Sequence, residues 1–416
     1  MFVQSAIEAP GTVLSPPLAR VVAAVGADQV PPPTPTECRD LLERFRVVGD
    51  GRSDVGRAHP VAAVLTLAAA AVVGGMRSFT AIAGWVADTP AQLLEQLYAR
   101  CGLRPATPSK ATIWRVVTGA DAAAVDAVVG AWLAERKGID IRSKPDMDDT
   151  DEAAPPRAVL AVDGKRVRGA VDVEGNAPHL LAAATHEDGL VLAQIDVHHK
   201  TNEIPMFAPL LDTIDITGML ITADCLHTQR AHAGYLHERG ADFAFCVKDN
   251  QPGLFDALDV LAWTDVPVTH TATERGHGRI ERRTLQVMPA PPDLPFPHVN
   301  QVFLIERATT DLAGTSLSNV AILGVTSLTA NRGDSTLLAE AVRGQWGIES
   351  LHWIRDTLYR EDDSHVHTKS GPRVMAALRN LAIGALRLSG RTDITEATRW
   401  ATRKMERPFT ILGLAA

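Results

Sequence analysis

The stretch that most constrains the fold is Ala158–Val167, an apolar run that ends in an acid, a glycine and several cations. Residues 158–162 have the composition of a buried β-strand, which predicts that Asp163 ends a strand at the rim of a sheet. Gly164 lets the backbone turn close to a ligand. Three cations follow: Lys165, Arg166 and Arg168. The pattern suits an acid that holds a metal beside cations that hold phosphate; a strand and turn with a solvated basic hairpin is the plainer interpretation.

A second acid repeats this arrangement. The apolar segment 219–223 is predicted to be a buried strand, and it ends in Asp224. A further strand over 243–247 ends at Lys248, which places a cation at the same rim. Because the strands end alike, we expect the two aspartates to lie near each other.

A third acid, Glu349, is predicted on a long helix that starts near Ser335. Side chains that share its face by helical spacing are Val342, Trp346, Trp353 and Asp356. This spacing predicts that Glu349 points with the aromatic residues toward the protein interior. A buried glutamate without a partner is costly. Glu349 therefore needs either Arg343 or a metal ion.

Together the three carboxylates Asp163, Asp224 and Glu349 fit two-metal phosphoryl transfer. Such sites hold two divalent ions roughly 3.5–4 Å apart, one for the attacking and one for the leaving oxygen. Hard oxygen donors favour Mg²⁺ or Mn²⁺ over zinc. The sequence thus suggests an enzyme that acts on phosphodiesters.

The composition limits the number of domains and the class of protein. With 416 residues, of which 46% are hydrophobic, the chain can form two or three domains. Its four cysteines lack the spacing of a zinc site or a disulfide framework. No signal peptide is apparent, and the apolar run Val61–Met76 is shorter than a membrane span, so we expect a buried helix there and a cytoplasmic protein. The formal charge of −8 weighs mildly against nucleic-acid binding, so local charge matters more than the total.

Changes in composition along the chain divide it into segments. The predicted segments are a flexible arm over 1–36, a helical N-terminal domain over 37–137, an acidic linker over 138–157, an α/β region in two parts over 158–264 and 334–390, a β-rich insertion over 265–333 between those parts, and a basic C-terminal tail over 391–416.

Within the helical region, a short helix begins near Ser109. Polar and basic side chains cluster at its start: Ser109, Lys110, Thr112 and Arg115. Such a helix could enter the major groove of DNA. A packing helix with a polar outer face explains the same residues equally well.

With these residues identified, the chain resembles the DDE transposases of bacterial insertion sequences, specifically the H-repeat-associated group. The resemblance covers most of 155–390. The matching motifs are Asp163-Gly164-Lys165 with Arg168-Gly169, Lys200-Thr201-Asn202-Glu203-Ile204, Thr222-Ala223-Asp224 with Gln229, Lys248 with Asn250-Gln251, His277-Gly278-Arg279-Ile280-Glu281 with Arg283, Arg343 with Trp346 and Ile348-Glu349, and His352-Trp353 with Asp356 and Glu361-Asp362. Each motif alone is weak, but their ordered set is specific.

The resemblance implies an α/β fold: a ribonuclease H-like catalytic core with a β-rich insertion, preceded by an all-helical N-terminal domain. It implies Asp163, Asp224 and Glu349 as a triad that binds two Mg²⁺ or Mn²⁺ ions. It also implies double-stranded DNA as the partner, at transposon ends and at the target, and a homodimer or higher oligomer on DNA. Three residues depart from the family pattern, none of them in the triad: Gln345, Asp249 and Arg355.

We predict contacts to DNA at residues that carry positive charge or an aromatic ring near these acids. In the catalytic region they are Lys165, Arg168, Lys248, Arg279, Arg283, Arg343 and Trp346. In the helical region they are Lys110 and Arg115, which we expect to read the DNA ends, since phosphate contacts carry no sequence information.

Two other functions remain open at this point. The chain could be a domesticated, catalytically silent DNA-binding protein, or a DNA nuclease, that keeps the transposase fold. A haloacid-dehalogenase-like phosphatase needs an acid two residues after its nucleophilic aspartate, and position 165 is a lysine. Four histidines are interpreted as solvated or hydrogen-bonded rather than metal ligands: His198, His199, His365 and His367.

Overall fold

A computed structural model of the chain describes residues 40–52, 57–142, 154–198, 201–276 and 278–414. The predicted arm over 1–36 and the acidic part of the predicted linker, 143–153, lie outside these ranges. So do three residues of the sequence motifs: His199, Lys200 and His277.

One large sheet organises the molecule. Its strands are β1 (Val159–Arg166), β2 (His179–Thr185), β3 (Val191–Val197), β4 (Leu220–Ala223), β5 (Asp242–Val247), β6 (Val268–Gly276), β7 (Arg279–Pro289), β8 (Gln301–Asp311) and β9 (Ser316–Thr326). They lie in the order β3-β2-β1-β4-β5-β9-β8-β7-β6. Strands β1, β4 and β5 run parallel, and the other neighbours are antiparallel. The predicted α/β class is therefore present.

Strand β1 extends further than the sequence predicts. Asp163 pairs with Ala182 of β2, and the pairing continues to Arg166 opposite His179. The prediction that Asp163 ends its strand is wrong, because β2 supplies partners for three more residues. The strand that ends here is β4, whose last residue, Ala223, pairs with Val162.

The helices pack against the sheet and against one another. Those of the N-terminal region are α1 (Leu41–Phe45), α2 (Val61–Val73), α3 (Phe79–Ala87), α4 (Ala91–Arg100), α5 (Lys110–Gly119) and α6 (Ala122–Lys137). Those that follow are α7 (Phe207–Leu211), α8 (Arg230–Glu238), α9 (Pro252–Asp259), α10 (Ser335–Gly344), α11 (Gly347–Thr357), α12 (Gly371–Leu388), α13 (Ile394–Thr402) and α14 (Glu406–Ile411).

The N-terminal helices share a hydrophobic core with the rest of the chain. Helix α2 is buried along its whole length, as predicted for this apolar run. It packs against α12, which also contacts α5, α6 and β3. The core formed by these elements continues into β1, β2, β4 and β5. No helix in the described ranges is both long and apolar enough to cross a bilayer.

Much of the predicted basic tail is folded onto these helices. Helix α14 packs against α2, and the Phe409 ring stacks on Trp85 with 5.7 Å between ring centroids. The Arg407 guanidinium lies 4.2 Å from the centre of the Trp400 ring and is buried. The C-terminal helices are thus part of the core.

The predicted β-rich insertion contains strands β6 to β9. Strand β9 pairs with β5, so the four strands extend the central sheet rather than forming a separate one. One face of this extension packs on α10 through Leu285, Phe303 and Ile305. This arrangement brings Arg279 and Arg283 to the side of the sheet on which α10 lies, because they share a face of β7 with Leu285.

Candidate active site

The register of the sheet brings the two aspartates together. The last pair between β1 and β4 is Val162 with Ala223, so Asp163 and Asp224 occupy the next position on each strand. Their side chains leave the face opposite to Val162 and Ala223, because side chains alternate along a strand. The Asp224 carboxylate accepts a hydrogen bond of 2.6 Å from the Cys225 amide, which turns the chain away from the sheet.

Glu349 reaches the same place from α11. The predicted single helix is instead two helices, α10 and α11, that break around Gln345. The break has a cause: Gln345 Nε2 donates to the Val162 carbonyl (3.0 Å), and its Oε1 accepts from Thr222 Oγ1 (2.5 Å). These bonds tie the inter-helix bend to the sheet between β1 and β4.

The predicted inward aromatic face is wrong. Trp346 is 44% exposed and Trp353 is 49% exposed, whereas Val342 is buried. The bend rotates α11 relative to α10, so the 3.6-residue spacing no longer carries through both helices. Glu349 therefore faces a cleft and not the core.

The cleft has a volume of about 260 Å³ and holds all three acids. Its other lining residues are Thr222, Ala223, Cys225, Ala244, Cys246, Lys248, Ile322, Val342, Gln345, Trp346 and Ile348. The structure thus brings Asp163, Asp224, Glu349 and Lys248 to one cleft.

Electrostatics in the cleft disfavour negative charge. Burial, followed by the charges of Glu203, Glu349 and Asp224, raises the pKa of Asp163 to about 7. Burial and the charge of Asp224 raise the pKa of Glu349. Such a site gains from a bound cation, because a cation would relieve the mutual repulsion.

Among the described residues, the positively charged side chains do not neutralise Glu349 or Asp224 by forming an ion pair with either. Arg343, one of the two predicted partners of Glu349, instead pairs with Glu274 at 2.6 Å. Within the described ranges, neither Glu349 nor Asp224 has a lysine, arginine or histidine within ion-pair distance. The oxygen donors suit Mg²⁺ or Mn²⁺ in kind. Nowhere in the described part of the chain, however, do three His, Cys, Asp or Glu side chains already form a metal cage.

Lys165, a predicted phosphate contact, is not among the residues that line the cleft. Its ammonium is 2.7 Å from Asp356 on α11 and 3.6 Å from Asp362, and its side chain is only 8% exposed. Arg168, by contrast, is 82% exposed. The structure thus gives Lys165 a partner inside the protein.

The other predicted DNA contacts fall into two groups. Arg279, Arg283 and Arg343 lie on the face of the sheet extension that α10 covers, where Arg343 and Arg283 both approach Glu274. Burial lowers the pKa of Arg283 to about 10. Lys110 and Arg115 are exposed on α5, far along the chain from the cleft, and Ser109 caps that helix by accepting from the Thr112 amide at 3.2 Å.

Two features beside Asp163 were not assigned a role from the sequence. His352 Nδ1 lies 3.6 Å from the Asp163 carboxylate, and burial lowers its pKa to about 3. Glu203 lies on the other side of β1, held by two histidines, and hydrogen bonds with them lower its pKa to about 2 against the effect of burial. The motif around Glu203 was visible in the sequence, but only the fold shows what it touches.

The chain is similar to known proteins. Residues 154–384 match the family described as "Transposase DDE domain", and residues 42–133 match "DDE_Tnp_1-associated". The Escherichia coli O157:H7 protein "Putative transposase YncI" is 27% identical over 84% of this chain and 87% of its own length. The Escherichia coli K12 protein "H repeat-associated putative transposase YhhI" is 26% identical over 84% of this chain and 91% of its own.

A solved structure also matches, that of a piggyBac transposase synaptic complex with hairpin DNA, at a TM-score of 0.34 and 12% identity over 62% of this chain and 54% of that chain. The family matches are the stronger finding. The chain belongs to the transposases with a DDE domain. Among them it is an H-repeat-associated member, which confirms the resemblance seen in the sequence.

Proposed function

We propose that the protein cleaves DNA at transposon ends and joins those ends to target DNA. The observation that carries this proposal is the meeting of Asp163, Asp224 and Glu349 in one cleft, where Asp224 and Glu349 have no cation partner in the described ranges. Three such acids suit a site that holds metal ions for phosphoryl transfer.

The sheet supports a ribonuclease H-like core. In the order β3-β2-β1-β4-β5, the first three strands form an antiparallel meander and the last two lie parallel to β1. Asp163 lies on β1, Asp224 follows the neighbouring parallel strand β4, and Glu349 comes from a later helix. We propose this core over 158–264 and 334–390, with β6 to β9 as its insertion.

The proposed cofactor is a pair of Mg²⁺ or Mn²⁺ ions. Bound there, they would help activate the attacking oxygen and stabilise the leaving oxygen. The three carboxylates would have to close on the ions, since they do not form a cage beforehand. The hydrogen bonds that run from Gln345 through Thr222 to His186 would hold this side of the cleft while they do so.

DNA is proposed to lie along the face that carries the cleft. Lys248 lines the cleft and is exposed, and Trp346 presents an exposed indole beside it. Arg279 continues this face along the sheet extension, since it shares a side of β7 with Leu285. Lys165, Arg283 and Arg343 are left out of the contact surface because each is already paired with an acid of the protein. A dimer on DNA, with α5 reading the ends, completes the proposal.

The triad is tested by charge removal. Asp163→Asn, Asp224→Asn and Glu349→Gln should each abolish Mn²⁺-dependent nicking of a plasmid that carries the DNA flanking this coding sequence. Binding to that DNA should stay nearly unchanged, because phosphate contacts are retained. Glu238→Gln, at an exposed acid of α8, is the matched control and should nick normally.

A different result would point to another function. If the wild-type protein binds this DNA but never nicks it with Mg²⁺ or Mn²⁺, the catalytically silent DNA-binding protein becomes the better explanation. If a triad variant nicks at the normal rate, that residue does not belong to the metal site.

A further inference from the structure

Glu203 is the acidic residue of a motif to which the proposed chemistry gives no role. It lies just after β3, before a 3₁₀ turn at Ile204–Met206. Its carboxylate is 2.9 Å from His179 Nε2 and 3.2 Å from His227 Nε2. The Glu203 side chain is 16% exposed, and that of His227 is fully buried. Two imidazoles therefore fix the carboxylate in one orientation.

This carboxylate abuts β1 directly behind Asp163. A Cβ placed at Gly164 would lie 2.6 Å from His179 Nε2 and closer still to the Glu203 carboxylate. Glycine is thus required at 164 because the carboxylate fills the space of a side chain, and not because the chain turns there. Since side chains alternate along a strand, Glu203 approaches from the face opposite to the Asp163 side chain.

Glu203 also acts on Asp163 through its negative charge, from the other side of β1. Among the charges that act on Asp163, Glu203 has the largest effect, ahead of Glu349 and Asp224. A carboxylate held a few ångströms behind a cation site adds to the negative field within it, where low dielectric keeps the effect strong. Glu203 does not itself face the cleft, so its action is indirect.

We propose that Glu203 is a positioning residue of the metal site: held by His179 and His227, it supports β1 at Gly164 and strengthens cation binding at Asp163 through the strand. This inference rests on the proposed function, because it concerns the ions of that site. A purely structural role, in which the carboxylate only ties the loop to β2 and to the turn before α8, is the alternative.

Mn²⁺ binding distinguishes the two roles without relying on cleavage. Free Mn²⁺ is titrated by electron paramagnetic resonance at pH 8, above the ordinary imidazole pKa of about 6.5. Glu203→Gln keeps the shape of the side chain but removes its charge, and its amide can accept from one imidazole while it donates to the other. We expect it to raise the Mn²⁺ dissociation constant about 10-fold, as substitutions behind metal ligands do, with a near-normal melting temperature.

The matched control is Asp126→Asn. Asp126 is also a buried carboxylate, paired with Arg373 where α6 meets α12, away from the cleft. Its loss should lower the melting temperature and leave Mn²⁺ binding at the wild-type value. If the role of Glu203 is only structural, Glu203→Gln should likewise lower the melting temperature and leave Mn²⁺ binding at the wild-type value.

Each outcome decides the question. An unchanged Mn²⁺ dissociation constant in Glu203→Gln overturns the inference while leaving the metal site intact. Wild-type protein that binds no Mn²⁺ overturns the proposed site and this inference together. If Glu203→Gln does not fold, Glu203→Asp decides: it keeps the charge but withdraws the carboxylate from Gly164, so weaker Mn²⁺ binding supports positioning and a wild-type value overturns it.

Discussion

Lys165 Nζ lies 2.7 Å from Asp356 Oδ2, and this contact joins the strand that carries Asp163 to the helix that carries Glu349. Lys165 follows Asp163 by two residues on β1, and Asp356 follows Glu349 by two helical turns on α11. The ion pair therefore helps to set the distance between two of the three acids. Lys165 was predicted to contact phosphate because it follows Asp163 so closely in the sequence.

Lys165→Met should affect stability more than DNA binding. Removing the ammonium leaves Asp356 half-buried and without its partner, at a cost of about 1 to 3 kcal/mol in the free energy of unfolding. The double variant Lys165→Met/Asp356→Leu should recover part of this loss, because both charges are then absent. Urea denaturation measures the first effect and filter binding the second. A large loss of DNA affinity at normal stability would restore Lys165 to the DNA contacts.

Lys248 and Arg279 should act through the phosphate backbone. Replacing either by alanine should weaken binding to all sequences and reduce the salt dependence of binding by about one log–log unit per contact. Lys404→Ala is the control, since Lys404 is exposed between α13 and α14. Titrations at several salt concentrations give the slopes. If Lys248→Ala and Lys404→Ala share the wild-type slope, the proposed DNA path is incorrect.

Glu361 should be essential for stability. It is fully buried between Arg355, at 2.7 Å, and Arg379, at 2.8 Å, which explains why position 355 holds an arginine here. Glu361→Gln leaves both guanidinium groups buried without their counter-charge, which should cost about 3 to 5 kcal/mol. Chemical denaturation at pH 7 measures this loss, with Glu238→Gln as the exposed control.

The same residue gives a pH dependence with a defined sign. The charges of Arg355 and Arg379 lower the pKa of Glu361 to about 2, although burial opposes them. A depressed carboxylate pKa stabilises the fold above the unfolded-state pKa of about 4.3, and this contribution is lost as pH falls toward 2. The stability difference between wild type and Glu361→Gln should therefore shrink between pH 5 and pH 3. A constant difference would contradict the assigned charge state.

Lys110 and Arg115 should determine preference for the element's own ends. The N-terminal helices cannot be removed to test this, because α2 and α6 share a core with α12, so point variants are needed. Lys110→Ala/Arg115→Ala should reduce the preference for cognate over scrambled ends by about 1 to 3 kcal/mol, with little change in stability. Titration at fixed salt compares the two DNAs. Full preference in the variant would move end recognition to the basic strands β6 and β7.

The sequence by itself predicted many of the local elements and singled out the three acids that the structure brings to one cleft. Apolar runs before Asp163 and Asp224 predicted buried strands, and the apolar run at 61–76 predicted a buried helix; the structure has β1, β4 and α2 there. Such patterns are local, since they depend on the spacing of side chains along one element. The ordered motifs also predicted the transposase family.

Only the tertiary structure decided which partner each side chain has. Lys165 pairs with a residue 191 positions away, and Gly164 is small because the Glu203 carboxylate fills its side-chain space. Trp346 faces solvent because Gln345 bonds to the sheet and bends the helix. Helices α2, α5 and α6 of the N-terminal region pack on α12. Each outcome depends on the register of strands and the docking of helices, which long-range packing sets and the spacing of residues along one element does not record.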